Sequence, residues 1–451
     1  MSDSQSERRL DTAVDNSSGN TGQTASKLGI IISMFPELHE TFILRELAAL
    51  ERKGVDFVIY SLQLPRDPIT LEDAIRLSEQ RTQYSTLINV KTLKSFFKTL
   101  VQHPLRLFKT IGKLLVNGYD RPMDIVKALA ILPITLHFGE HAKANGITHL
   151  HGHWANIPTT ACWYLQQIHG FSWSAAIHGE DIFSANRFLP YKLDRAKFSV
   201  VCSGYFCNHL KEGIGVELPQ QIHLNYHGLD PRVMELSSTI EFEPRQSGSA
   251  KPVQLVSIGR LVPTKGHDTL LRACALLLTE HKLAFHLNLI GSGPDEEELK
   301  SLSKELGIDE HVTFTGGIAF AEVLDTLIAA DAFCLAPRLI PGHPPDGIPN
   351  VIAEAMALRV PVVTTRVSAI PELVEDGVSG RLVEVDDHVA FAKAISEVMQ
   401  GENTTAQLSA GGFEKVEALF NQNNNIDELI ALFEQYTGSS IVQPGADSLP
   451  S

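Results

Sequence analysis

Asp346 and Glu354, eight positions apart, are the residues whose types and spacing most directly suggest a binding chemistry. They flank the predicted start of a helix, because Pro349 can begin a helix without an N–H group and residues 350–358 favour helix. Free N–H groups and the positive end of the helix dipole attract anions and hydroxyl groups there. Carboxylates accept paired hydrogen bonds from vicinal hydroxyls, so the two acids predict polyol binding. Alternatively, Asp346 caps the helix and Glu354 lies on a solvated face.

Strands and loops must position these acids. Apolar runs of strand length alternate with helical segments along the whole chain, and a proline- and glycine-rich loop precedes the helix at residue 350. The runs fall at 28–33, 55–62, 147–154, 173–177, 198–202, 222–226, 252–259, 285–290, 311–314, 332–336, 360–365 and 381–385. This alternation predicts an α/β protein built from two doubly wound parallel sheets.

Length and charge limit the classes to which this protein can belong. Its 451 residues exceed what one hydrophobic core usually serves, so we expect two domains. The formal net charge of -15 argues against a general nucleic-acid binder. The five cysteines form no Cys-x-x-Cys pair, which fits a reducing cytoplasm. No apolar run has the length of a membrane span and no signal-peptide core follows the N-terminus, so we expect a cytoplasmic protein.

Local composition predicts the domain boundaries. Residues 1–27 are polar and are expected to be a disordered tail, and the N-terminal domain follows at 28–236. A polar stretch with Pro244 and Gly248 predicts a linker at 237–251. We place the C-terminal domain at 252–400, further helices at 401–440 and a loose tail at 441–451.

Histidines mark the ends of two strands in the first half. His149, His151 and His153 alternate along one strand and should share a face, where they could bind zinc. No carboxylate or cysteine joins them at ligand spacing, so we expect structural histidines or a polar lining instead. His178 follows the next strand, at the edge where α/β sheets bind ligands, and it is as readily structural as functional.

Polar residues also begin two helices. Glu40 and Thr41 stand at the start of the first predicted helix, where they either cap the helix or face a cleft. Arg260 and Lys265 flank the turn between a strand and a helix in the second half. Two cations at a helix start form an anion site suited to a diphosphate, although surface charge alone also accounts for them.

The segment 91–113 reverses the charge of the rest of the chain. It contains no acid, and Pro104 divides it into two short helices with apolar residues among the basic ones. The basic residues are Lys91, Lys94, Lys98, Arg106, Lys109 and Lys113. One hypothesis is attraction to an anionic membrane surface, and the other is a helix pair whose apolar faces bury against the domain.

Together these patterns resemble the family-4 glycosyltransferases (GT4), nucleotide-sugar-dependent enzymes with the GT-B fold of two Rossmann-like domains facing each other across a cleft. The resemblance covers residues 29–399 and is strongest in SIGRLVPTKGHDTLL, LIGSGPDEEELK, VTFTGG, DGIPNVIAEAMALRVPVVTT and IPELVEDGVSGRLVE. In the first half, FPELHETFILREL, HLHGHWA and IHGEDIF are similar to the branch that builds exopolysaccharide, colanic-acid-type and lipopolysaccharide chains.

The resemblance implies a role for each candidate residue. Arg260 and Lys265 would neutralise the departing diphosphate, and Glu354 would hold the ribose hydroxyls. Asp346 and His178 would contact the transferred sugar. The remaining positions would bind substrate through the backbone or line the acceptor side: Glu40, Thr41, Gly259, Gly347, Ile348, Pro349 and Asn350. The implied reaction retains the anomeric configuration, with the donor phosphate helping to deprotonate the acceptor, and needs no metal or other cofactor.

The function implied is transfer of a hexosyl group from a nucleotide sugar to a glycan or polyprenyl-linked glycan in surface polysaccharide synthesis, at the inner face of the cytoplasmic membrane. The alternatives are a sugar-nucleotide epimerase of similar build and a non-catalytic glycosyltransferase-like partner. The chain departs from the family pattern at Asp346, where Glu is usual, and at Ser368-Ala369, where Gly-Gly is usual. Arg359 replaces another usual glycine and would cost about 1 kcal/mol if its backbone is left-handed.

Overall fold

The computed structural model describes residues 26–37, 40–66, 71–183, 187–213, 221–240 and 251–443. These residues form two α/β domains, and the strand pairings within both of their sheets are parallel. The predicted fold class, two Rossmann-like doubly wound domains, is therefore confirmed.

The N-terminal sheet has seven strands in the described part of the chain, in the order β3-β2-β1-β4-β5-β6-β7. Continuous apolar runs predicted most of them, because a strand buried on both faces needs no polar alternation. Only the three-residue β3 was missed. The strands are β1 (Lys27–Met34), β2 (Phe57–Gln63), β3 (Thr82–Tyr84), β4 (Ile147–His153), β5 (Ser172–Ile177), β6 (Ser199–Val201) and β7 (Ile222–Leu224).

Eleven helices fall between Thr41 and Ser237 in the described residues, and Pro104 begins a new helix as the sequence predicts. They are α1 (Thr41–Arg52), α2 (Glu72–Gln80), α3 (Val90–Gln102), α4 (Pro104–Asn117), α5 (Pro122–Ala130), α6 (Leu132–Ala144), α7 (Ile157–His169), α8 (Gly179–Phe183), α9 (Phe188–Leu193), α10 (Gly204–Gly213) and α11 (Pro231–Ser237). Within the described residues, no single helix has the length and apolar character to cross a membrane, although the bent pair α5 and α6 would pass that test together.

The C-terminal sheet has six strands in the order β10-β9-β8-β11-β12-β13. They are β8 (Val253–Ile258), β9 (Phe285–Ile290), β10 (Val312–Gly316), β11 (Ala332–Leu335), β12 (Val362–Thr365) and β13 (Arg381–Val383). The helices are α12 (His267–Thr279), α13 (Glu296–Glu305), α14 (Phe320–Ile328), α15 (Asn350–Ala357), α16 (Ile370–Leu373), α17 (His388–Gln400), α18 (Glu402–Phe420) and α19 (Gln422–Thr437).

The strand order reverses direction in each sheet, between β1 and β4 and between β8 and β11. Parallel α/β sheets bind ligands outside the carboxyl ends of their strands at such a reversal. The loops after β1, β4, β5, β8 and β11 therefore form the expected site, and they carry most of the candidate residues.

The last helix returns to the first domain. Leu429 and Phe433 of α19 are buried against β1 and α1, in the same core cluster as Ile30 and Leu47. The predicted loose tail at 441–451 needs correction at its start, because Ile441 is buried and residue 442 bridges residue 55 of the N-terminal domain. Residues 444–451 lie outside the described part of the chain.

The chain also passes from the N-terminal to the C-terminal domain earlier than the predicted linker. Leu229 and Val233 pack in one cluster with Phe333 and Ile352 of the C-terminal domain, so the chain joins that core before residue 237. Ser237 ends α11 and is buried. The polar composition that predicted the linker belongs mainly to residues 241–250, which the structure does not describe.

We expect Phe433→Ala to lower the free energy of unfolding by about 3–5 kcal/mol, because it removes a fully buried ring and leaves a cavity. Urea denaturation of the full chain measures the loss. Gln435→Ala, at an exposed position of the same helix, should change it by less than about 0.5 kcal/mol. Equal effects of the two substitutions would show that α19 is not part of the N-terminal core.

Candidate active site

A cavity of about 590 Å³ opens between the two domains. This volume lies in the range of pockets that hold a drug-sized ligand. Its apolar wall comes from Ile258, Phe320 and Val351, which suits a flat ring. Charged and polar side chains from both domains complete the lining: Thr41, Arg45, Arg52, Glu72, Asp73, Asp230, Arg232, Asn350, Glu354 and Gln422.

Glu354 lies on α15 and lines this cavity. Only 7% of its surface is exposed to solvent. Burial raises the pKa of its carboxyl, and the positive charge of Arg45 opposes that rise. Arg45 comes from α1 in the other domain, and burial lowers the pKa of its guanidinium. The solvated-face interpretation of Glu354 is therefore wrong, and its carboxylate is placed to accept hydrogen bonds from a ligand in the cavity.

Lys265 and Asp346 form an ion pair, with 2.9 Å between Lys265 Nζ and Asp346 Oδ2. Lys265 lies in the turn after β8, next to Gly266, which has a left-handed backbone. A side chain at Gly266 would collide with the carbonyl group of Ala336 at the end of β11. Arg260 lies in the same turn and is exposed, so its guanidinium is accessible to an anionic ligand. Gly259 follows β8 and donates its N–H to Ile290 O at 3.0 Å.

The loop 346–350 packs against the N-terminal domain. A Cβ on Gly347 would approach the ring of Phe206 to 3.1 Å, so the glycine permits a close approach of the two domains. Ile348 packs into the C-terminal core, Pro349 caps α15 and Asn350 is its first residue. Asp346 precedes the cap position, so it does not cap the helix itself.

His178 follows β5 and is buried beside three rings. Its imidazole lies 4.4 Å from Trp154, 4.9 Å from Phe42 and 5.3 Å from His227, measured between ring centroids. Burial holds the pKa of His178 well below its usual value, so the ring is neutral near pH 7. Its Nε2 has no hydrogen-bond partner in the described residues. His178 therefore carries a neutral ring whose Nε2 is buried and unpartnered, and the residue does not line the interdomain cavity.

The two domains approach each other next to His178. A Cβ on Gly179 would come within 3.1 Å of Pro345 O, one residue before Asp346. Glu372 of the C-terminal domain accepts hydrogen bonds from the N–H groups of Gly204 and Tyr205 at 2.8 and 2.6 Å. It also accepts one from the Tyr226 hydroxyl at 2.7 Å. These bonds hold the N-terminus of α10 against the C-terminal domain.

Glu40 and Thr41 begin α1, as predicted. The Glu40 side chain makes no capping hydrogen bond, so capping does not account for it. Burial raises the pKa of Glu40. Thr41 lines the interdomain cavity. Thr41 thus faces the region between the domains, whereas Glu40 lies near Trp154 and His153 of its own domain.

The row of histidines on β4 is buried on one face, as expected. His149 contacts Ser172 Oγ and Ser174 Oγ at 2.9 and 2.8 Å, and His151 shares Ser174 at 2.7 Å. No carboxylate stands at ligand spacing in the sequence, but the fold brings one to the histidines from another element. Glu46 Oε1 of α1 lies 3.2 Å from His153 Nε2.

Two of the three departures from the family pattern have left-handed backbones. Arg359 has φ 62°, as expected for a position usually held by glycine, and Ser368 has φ 51°. The Arg359 guanidinium lies 4.0 Å from the centre of the Phe413 ring, a contact that glycine cannot make.

Sequence reasoning missed several residues of the interdomain region. Arg45 and Arg232 line the cavity from the N-terminal side, and Glu372 joins the domains. The available signal for Arg45 was a charged residue within the apolar face of α1, between Leu44 and Leu47. No local pattern distinguished Arg232 or Phe320.

Comparison with known proteins finds a matching family and several similar sequences. Residues 239–415 match the family described as glycosyl transferases group 1. A glycosyltransferase assigned to colanic acid biosynthesis in Escherichia coli is 35% identical over 195 residues, which are 43% of this chain and 48% of that protein. A GDP-mannose-dependent alpha-(1-6)-phosphatidylinositol monomannoside mannosyltransferase of Mycolicibacterium smegmatis is 35% identical over 166 residues, 36% of this chain and 42% of that protein. These matches span about half the length of the curated relatives.

The whole described fold resembles solved structures. Anabaena HepE, crystallised with UDP, superposes with a TM-score of 0.65 at 16% identity, covering 91% of this chain and all of that one. At such identity the likeness concerns the fold, and it confirms the GT-B arrangement.

We expect the stability of the C-terminal domain to fall as the pH drops below 6.5, because burial lowers the pKa of His267 to about 4. The unfolded imidazole takes up a proton from pH 6.5 downward while the folded one stays neutral, so unfolding is favoured by about 1.4 kcal/mol per pH unit over that interval. Denaturation at pH 7 and pH 5 should show a smaller loss for His267→Gln than for the wild type. His343→Gln, at an exposed position, serves as the matched control and should follow the wild type.

Proposed function

Because residues 239–415 match the group 1 glycosyl transferase family, we propose that this chain is a retaining glycosyltransferase. It transfers a sugar from a nucleotide sugar to a glycan or lipid-linked glycan in surface polysaccharide synthesis. One observation carries the proposal: the buried carboxylate of Glu354 faces an interdomain cavity of about 590 Å³.

Donor binding uses the wall formed by the C-terminal domain. Glu354 accepts hydrogen bonds from the ribose hydroxyls, and the apolar wall at Phe320 receives the base. Arg260 and Lys265 neutralise the diphosphate. Since Lys265 is paired with Asp346 at 2.9 Å, an incoming donor must separate them, which frees Asp346 to contact the sugar.

The chemical step breaks the bond between the sugar C1 and the diphosphate oxygen, and the leaving diphosphate takes that electron pair. A hydroxyl oxygen of the acceptor forms the new bond to C1 on the same face, and its proton passes to a donor phosphate oxygen. The cations stabilise the charge that develops on the diphosphate in a site that excludes water. His178 donates a hydrogen bond to the sugar, and the transfer requires no metal at the diphosphate.

We expect Glu354→Ala and Lys265→Ala each to lower kcat/KM by about 100-fold or more, because each removes a charged contact to the donor. Donor consumption and product analysis measure the loss. Glu417→Ala and Lys304→Ala are matched controls at exposed positions of the same domain. Near-wild-type activity of both site variants would contradict the assignment, and a changed nucleotide sugar without any acceptor product would indicate an epimerase.

Nucleotide binding tests the same site without an acceptor. UDP, GDP or ADP at a hundred times its dissociation constant should stabilise the fold by about 2.7 kcal/mol, visible as a rise in Tm. The preferred nucleotide should stabilise Glu417→Ala fully and Glu354→Ala little. Failure of all three nucleotides to bind would favour the non-catalytic partner.

A second proposal concerns the surface formed by α3 and α4. The buried face of α3 carries small polar residues, Thr92, Ser95 and Thr99. Several large apolar side chains of the two helices point to solvent, and Val101 and Leu105 are 80% and 84% exposed. Leu107 and Leu114 of α4 are buried, so burial against the domain accounts for only part of the apolar residues.

Charge favours an anionic lipid surface as the occupant of these helices. Lys91, Lys94 and Lys109 are exposed among the apolar residues, and α3 and α4 contain no acid. Exposed apolar side chains insert at a membrane interface while basic ones attract anionic headgroups. We propose attachment to the inner face of the cytoplasmic membrane, where a lipid-linked acceptor would be available.

We expect the protein to co-sediment with vesicles containing phosphatidylglycerol at low salt and to dissociate as salt rises. Reversing Lys91, Lys94 and Lys109 to glutamate should weaken binding by more than about tenfold. The same change at Lys282, Lys304 and Lys393, exposed on the other domain, is the control for net charge. Equal binding to neutral vesicles at high salt would contradict the proposal.

A further inference from the structure

We infer that Glu46, His151 and His153 form a binding site for one divalent transition metal, with zinc as the best match. One nitrogen from each histidine and one carboxylate oxygen lie within 4.8 Å of one another. Two imidazoles and a carboxylate are a ligand set that holds zinc in proteins. The site lies in the N-terminal domain and uses none of the residues assigned to the donor.

The ligand atoms are buried, and two of the ring nitrogens in the cluster have no hydrogen-bond partner in the described residues. His151 Nε2 and His153 Nδ1 are the two that are out of solvent and unpartnered there. Glu46 Oε1 and His153 Nε2 are also buried and lie 3.2 Å from each other. His153 is fully buried and His151 is 1% exposed. Native structures rarely leave such atoms unsatisfied, because each costs the desolvation of a polar group. A metal ion at their common centre would bind Glu46 Oε1, His151 Nε2 and one ring nitrogen of His153 together.

A hydrogen bond to its other ring nitrogen orients His151 as a ligand. His151 Nδ1 lies 2.7 Å from Ser174 Oγ, which leaves its Nε2 free to face the cluster. Histidines that bind metals usually have the other ring nitrogen hydrogen-bonded in this way. Glu46 is the only one of the three that can bring negative charge to the ion.

Tetrahedral zinc needs a fourth ligand, and a water molecule can supply it. A cavity of about 10 Å³ lies beside the cluster, lined in part by Glu46 and His227. That volume holds about one water molecule. Because Glu46 comes from α1 and the histidines from β4, the ion would join two elements that only the folded domain brings together.

A neighbouring cluster is a weaker candidate. His178, Cys202 and His227 also have ligand atoms within 4.8 Å of one another. However, burial raises the pKa of the Cys202 thiol to about 12, and the thiolate is the form that binds metals. His178 is also the residue that faces the sugar in the proposed function.

The test measures metal in tag-free full-length protein purified without chelators. Elemental analysis should find about one zinc per chain in the wild type and at least about tenfold less in Glu46→Gln and in His153→Gln. His149→Gln, from the same strand, is the matched control and should keep its zinc. Circular dichroism of each variant establishes that it has folded.

A second measurement does not depend on variants. After removal of the metal from the wild type, titration with Co²⁺ should give a visible absorption band of tetrahedral intensity that saturates at about one equivalent, and Zn²⁺ should abolish it. Zinc should also raise the Tm of the metal-free protein. The inference fails if neither ion binds stoichiometrically. It also fails if Cys202→Ser releases the metal while Glu46→Gln and His153→Gln retain it.

Discussion

The cavity depends on one constraint: two separately folded sheets must stay with the carboxyl ends of their strands facing each other. Glu372 contributes directly, because its carboxylate crosses from the C-terminal domain and accepts three hydrogen bonds from the N-terminal one, at 2.6 to 2.8 Å. A carboxylate at a helix N-terminus is also stabilised by the helix dipole. The return of α19 to the first domain ties the same two bodies together through apolar packing around Phe433. Without these contacts, Arg45 and Glu354 would belong to separate solvated surfaces.

Bringing the domains together also buries charged side chains, and the site contains oppositely charged partners that offset their desolvation. Burial raises the pKa of Glu354 while Arg45, from the other domain, opposes the rise. Within the C-terminal domain, the partly exposed Asp346 is paired with Lys265. A buried charge is tolerated only when a partner compensates it. In the proposed reaction the donor supplies new partners for these groups, so binding exchanges protein contacts for ligand contacts. The same charges then act in a site from which water is excluded.

Two features of the N-terminal domain, one on its surface and one in its interior, place polar and apolar groups in unusual positions. On its surface, α3 and α4 expose apolar and basic side chains together, while small polar residues such as Thr99 face inward. In its interior, the Glu46 carboxylate lies 3.2 Å from His153 and close to His151, whose Nε2 has no hydrogen-bond partner in the described residues. Both features oppose the usual distribution of polar and apolar groups, and each is the basis of a proposal about what binds there.

The sequence by itself determined the fold class, because apolar runs of strand length alternate with helical segments wherever a parallel sheet is covered on both faces. It also determined that Asp346 precedes a helix and that Glu354 lies within it, because a helix that starts at a proline depends only on neighbouring residues. Only the tertiary structure decided that Glu354 is buried beside Arg45 and that Glu46 reaches His153. These pairs join residues about 100 or more positions apart, and contacts between such distant residues leave no periodicity in the chain. The return of α19 and the early crossing at Leu229 escaped prediction for the same reason: an apolar face does not specify which domain it will pack against.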